Sequence, residues 1–152
     1  MFTQLNTIDL MFVLSAIAFN LLIAALFIAQ KLGRENLVKT FGVLWLWLMI
    51  PLALVFVSYW REGRETWIFV NFGLVFLYML VELLLDYVFK VDFRSKPITH
   101  VPYIILEYIA LFSLIAIAFD IDQRWGTVVS LCFWILMGSL VYLYWDKLFK
   151  RK

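Results

Sequence analysis

Apolar positions along the chain fall into five long runs, 8–29, 40–60, 66–89, 101–119 and 125–145, separated by short polar breaks. Each run is about 20 residues, the length needed to cross a hydrocarbon core of roughly 30 Å at 1.5 Å per residue. The pattern predicts an all-α, polytopic membrane protein: one integral domain over residues 1–152, folded as a bundle of five transmembrane helices. A signal peptide is the rival reading of the first run. No basic residue precedes it, Asp9 sits at its edge and no small-x-small cleavage site follows, so it is taken as the first span.

Polar residues inside the runs are sparse and ordered. In the first, Asp9, Ala16, Asn20, Ala24 and Lys31 follow one helical face, predicting a seam of small residues with Asn20 as interhelical glue. In the second, Pro51 removes a backbone donor and predicts a kink. At 100° per residue, Asn71, Val75, Tyr78, Glu82 and Asp86 fall in one narrow stripe of the third. Lipid offers polar groups no partner, so such a stripe faces the bundle interior or a wet cavity. For the fourth, Thr99 fits an N-cap and Pro102 a first turn, which starts the helix near His100. His100, Glu107, Leu111, Leu114 and Ala118 then share a face, with Tyr103 beside it.

The connections, read as 30–39, 61–65, 90–100 and 120–124, bring in charge. Of the 13 Lys and Arg residues, ten lie in the first connection, the third and the C-terminal tail, where Lys147, Lys150, Arg151 and Lys152 cluster. The remaining three lie in the second and fourth. Positive charge favours the cytoplasmic side, so the N-terminus is expected outside and the C-terminus in the cytoplasm, which requires an odd number of spans. Tyr59, Trp60, Trp67 and Trp125 then mark the outer interface, and Tyr87, Tyr144 and Trp145 the inner one. Asp120 and Asp122 read as a solvated turn.

Composition agrees with the class. The chain is 65% hydrophobic and only 16% charged, outside the range of soluble domains, and the expected location is a plasma membrane of a prokaryote or an organelle membrane. A formal charge of +2 gives no reason to expect a nucleic-acid partner. The single Cys132 cannot form a disulfide within the chain and reads as an apolar packing residue.

Apart from Asp9 at the edge of the first run, the candidate chemistry is three carboxylates within the spans, Glu82, Asp86 and Glu107, where no Lys or Arg lies inside any run. Ionisable residues at such depth are costly and mark functional sites. If the third and fourth helices turn their polar stripes toward each other, Glu82 and Glu107 meet at equal depth, with Asp86 and Tyr103 shallower and Tyr78 and His100 completing the cluster. Carboxylates so close cannot all stay ionised in a low-dielectric site, so a shared proton, a bound cation or a basic side chain must neutralise them.

Three functions fit. The first is binding or transport of a cation, whether a proton, an organic amine or another amphipathic small molecule, or a metal ion on Glu82, Asp86, His100 and Glu107. Transport through five helices would imply a homodimer. The second is a membrane enzyme using Glu82 and Glu107, with Asp86, as general acid and base on a lipid or prenyl-like substrate. The third is an assembly subunit of a membrane complex. A purely structural alternative lets Lys90, Arg94 or a first-connection cation reach inward and close the bundle with ion pairs. Asn20, Asn71 and Pro51 are assigned to helix packing.

Overall fold

In the computed structural model, described for residues 5–91 and 97–149, all regular structure is helical. The helices are α1 (Thr7–Lys31), α2 (Glu35–Trp47), α3 (Met49–Glu62), α4 (Thr66–Glu82) continued by a π-helical turn (Leu83–Val88), α5 (Pro97–Ile121) and α6 (Gln123–Phe149). They supply five stretches long and apolar enough to cross a membrane: Thr7–Lys31, Glu35–Glu62, Thr66–Val88, Ile98–Ile121 and Gln123–Asp146. Asp92, Arg94, Lys96, Lys150, Arg151 and Lys152 lie outside the described residues, as do the side chains of Pro97 and Lys147.

Several boundaries differ from the sequence reading, each for a local reason. The first connection shrinks from 30–39 to 32–34, because Gln30, Lys31, Glu35 and Lys39 are good helix formers and Gly33, at φ 67, makes the turn alone. Lys39 is therefore helical. Pro51 cannot donate to the Trp47 carbonyl, and the second span breaks there: α2 ends at Trp47 and α3 starts at Met49. Helix α5 begins at Pro97, a residue suited to an initial helical position, so Thr99 is inside the helix and does not cap it, and Pro102 lies in the helix interior. Asp122 is no merely solvated turn residue. It separates α5 from α6, and its Oδ1 accepts from the Arg124 backbone N–H at 2.8 Å, as an N-cap does.

Helix α1 is the centre of the bundle, packing on α2, α3, α5 and α6, while α4 packs on α5 and α5 on α6. Its inner face (Phe12, Ala16, Phe19, Asn20, Ala24) is almost fully buried, the alanines allowing close approach of neighbouring helices. Asn20 does not act as interhelical glue: its Nδ2 donates to the Ala16 carbonyl of its own helix at 2.9 Å, and its Oδ1 has no partner among the described residues. Asn71 likewise donates within its own helix, to the Trp67 carbonyl at 2.8 Å. The outward faces carry Trp47, Trp60 and Trp134, each about two-thirds exposed. In water such surfaces would be a liability; against lipid they match the solvent.

The two ends of the bundle are built differently. Around the α3–α4 turn, Phe12, Phe56, Tyr59 and Phe72 lock α1, α3 and α4 together edge to face, with ring centroids 5.6 to 6.1 Å apart. Over that aromatic plug, Asp9 accepts from the Tyr59 hydroxyl at 2.7 Å and from Arg64 Nη2 at 3.2 Å. Arg64 also donates to Glu62 at 3.2 Å and lies 4.6 Å from the Tyr59 ring centre. Partial burial alone would depress the Arg64 guanidinium, but the Glu62 hydrogen bond and the Asp9 charge outweigh it and hold the group above its ordinary range. At the opposite end α2 leans on α1 and makes no comparable contact with α4, which leaves a space between them.

Candidate functional site

That space is a cavity of about 1230 Å³, lined in part by the basic residues Arg34, Lys39 and Lys90. All six residues singled out as ligand-binding candidates line it: Tyr78, Glu82, Asp86, His100, Tyr103 and Glu107. Helix α4 carries Tyr78 and ends in Glu82, the π-turn carries Asp86, and the first three turns of α5 supply His100, Tyr103 and Glu107.

The Tyr103 hydroxyl donates to Glu82 Oε2, and the Tyr78 and Tyr103 hydroxyls are 3.2 Å apart, so two tyrosines and a carboxylate make one hydrogen-bonded chain between α4 and α5. The Tyr78 and Tyr103 rings lie 5.7 Å apart, and His100 stacks on Tyr103 with its ring inclined by 16°. On the other side of Tyr78, the Trp45 indole of α2 meets it edge to face at 5.5 Å. An aromatic wall thus runs from His100 at the cavity mouth to Trp45, with Glu82 set into it.

The hydrogen-bonded contact between α4 and α5 runs from Tyr103 to Glu82, and Glu107 lines the same cavity. Among the described residues no three His, Cys, Asp or Glu side chains converge to hold a metal ion. The metal set of Glu82, Asp86, His100 and Glu107 has no geometric support there.

Three wall residues escape the polar-stripe analysis. Tyr87, expected at the membrane interface, lines the cavity. In a regular α-helix it would sit 140° from Glu82, at 100° per residue. The π-turn, with the Phe89 N–H bonded to the Leu84 carbonyl five residues back at 2.8 Å, admits an extra residue per turn and swings Tyr87 back toward the cavity side. Its hydroxyl then packs against Gly42 of α2, where any Cβ would overlap it. The third is Trp45, 4% exposed, whose Nε1 is buried without a hydrogen-bond partner among the described residues, as is Nδ1 of His100. A tryptophan in an apolar run carries no sequence sign of such a site. The glycine three residues before it and the π-turn tyrosine are recognisable only once the helices are in place.

No family model, curated protein or solved structure matches this chain.

Proposed function

We propose that the cavity binds an organic cation, an amphipathic amine whose charge is received by Glu82 and Glu107 and whose apolar body lies among the aromatic and aliphatic walls. The observation that carries this reading is the Glu82–Tyr103–Tyr78 chain set into a cavity of about 1230 Å³ that Ile23, Leu111 and Leu136 also line. That volume suits a ligand of many heavy atoms and far exceeds what an ion needs. The hydroxyl chain also supports the carboxylates, because Glu82 keeps a hydrogen bond whether or not ligand is present.

In this reading Asp86 and His100 hold the mouth of the cavity, and that end faces the cytoplasm because the basic residues cluster there. Cysteine labelling from outside, in a Cys132-free background, should modify positions 61–65 and spare position 90; the reverse pattern would put the cavity on the outer face.

The binding reading is tested by the melting temperature of the purified protein with hydrophobic amines. A ligand that binds the native state raises it by mass action, the stabilisation being about 2.7 kcal/mol at a hundredfold excess over Kd. The wild type should be stabilised, and the Glu82→Gln, Glu107→Gln double variant should not. Equal stabilisation of both proteins, or of neither, removes the carboxylates from ligand binding.

A further inference from the structure

Arg34, Lys39 and Lys90 reach the wall of the cavity from three separate segments: the α1–α2 turn, the second turn of α2 and the chain just beyond the π-turn. All three are exposed, and none makes an ion pair with another described residue, although Glu35, Glu82, Asp86 and Glu107 line the same cavity. Two of them stand where their residue type costs stability. Lys90 has φ 50, in the left-handed region that favours glycine, where the Val91 N–H bonds back to the Leu85 carbonyl at 2.9 Å and closes the π-turn. Arg34 occupies the N-cap of α2 without a side-chain capping bond, its charge opposed to the helix dipole and offset only by Glu35 in the first turn.

A bare amine entering this cavity meets the three cations as like charges. Along α4 and its continuation the lining runs Tyr78, Glu82, Asp86, Lys90, so the carboxylates come between the aromatic wall and the cation. A ligand charged in the same order, apolar body, ammonium, then anion, is matched by every group along that line. Resting on the amine-binding reading, we infer that the ligand is amphoteric: a long-chain amine that also carries a phosphate group, received by Arg34, Lys39 and Lys90. A phosphate monoester holds a charge of about −1.5 to −2 at pH 7 and three acceptor oxygens, which suits several cations better than a single carboxylate does. Long, flexible lysine stems let the two ammonium groups close on it from different helices. The cavity, about 1230 Å³, has room for the chain among Ile23, Leu26, Leu111 and Leu136.

The test titrates 2-aminododecan-1-ol and its phosphate monoester, at pH 7 in a non-ionic maltoside detergent, into the wild type and into the triple variant Arg34→Gln, Lys39→Gln, Lys90→Gln. The probes differ only by the phosphate, and partition into micelles is common to both proteins and cancels. The ratio of the amino-alcohol Kd to the ester Kd should be about tenfold higher in the wild type than in the variant, the scale of charge-assisted hydrogen bonds. The same ratio in both proteins overturns the inference and leaves the amine site intact. Failure of the amino alcohol to bind the wild type overturns the amine site and the inference with it. Inorganic phosphate added with the amino alcohol should leave the amino-alcohol Kd unchanged; a gain in affinity equal to the ester's would show that a free anion fills this place and would overturn the single amphoteric ligand. Lys90→Gly supplies a readout in which folding is not at risk. Glycine is at ease at φ 50, so the melting temperature should hold or rise, while the preference for the ester should fall about threefold. A Lys90→Gly protein with the wild-type preference contradicts the inference.

Discussion

Asp9 and Glu82 are both carboxylates in the apolar part of the chain, and the protein treats them in opposite ways. Asp9 is covered: Tyr59 and Arg64 donate to it, the Arg64 guanidinium lies over the Tyr59 ring, and Phe12, Phe56 and Phe72 pack underneath. Glu82 takes a hydrogen bond from the neutral Tyr103 hydroxyl and looks onto a cavity of about 1230 Å³. At one end the ion pair sits over packed aromatic rings and the helices are clamped. At the other, a cavity opens among helices that still meet through the Tyr103–Glu82 hydrogen bond, the Trp45–Tyr78 ring contact, Tyr87 on Gly42 and the Lys31–Asp146 ion pair. The difference teaches that carboxylates within apolar runs of one bundle can be packed over or left beside a cavity.

The comparison is broken most severely at the closed end. Arg64→Leu removes the cation from Asp9, which is only 14% exposed, and should destabilise the protein by about 2 kcal/mol. That is less than the loss for a fully buried pair, because Arg64 itself is 29% exposed and water screens part of its charge. In an Asp9→Asn background the same substitution should cost less than about 1 kcal/mol, since no buried charge is then orphaned. Chemical or thermal unfolding of the purified proteins measures both. Equal losses in the two backgrounds would show that Arg64 acts through its contact with Tyr59 and not through Asp9. Tyr59→Phe, which takes one hydrogen bond from Asp9 and leaves the aromatic packing, should cost about 1 kcal/mol by the same assay. A loss of several kcal/mol would mean that the phenol organises more of this end than the Asp9 bond.

The five spans are readable because apolar run length is a direct physical requirement of the bilayer, and the break near Pro51 because a missing N–H acts wherever the helix sits. The stripe of Tyr78 and Glu82 is readable for the same reason: α4 stays regular up to Glu82, so 100° spacing holds. Beyond Glu82 it fails. The π-turn re-aims Tyr87, and the Tyr103–Glu82 hydrogen bond depends on which faces of α4 and α5 meet, which neither run states by itself. The Asp9–Arg64 pair joins α1 to the α3–α4 turn across 55 residues, and no periodicity within a helix encodes that meeting. The Trp45 nitrogen is a property of the assembled wall alone.

The proposed role of the cavity carboxylates, set against that of Asp9, is tested most directly by amine affinity at one pH. A hydrophobic tertiary amine is titrated at pH 7 into the wild type, into Glu82→Gln with Glu107→Gln, and into Asp9→Asn. The Asp9→Asn protein should bind as the wild type does, and the cavity double variant should bind at least tenfold more weakly. A double variant that keeps wild-type affinity would contradict the account, because the amine would then be held without the two carboxylates on which it rests.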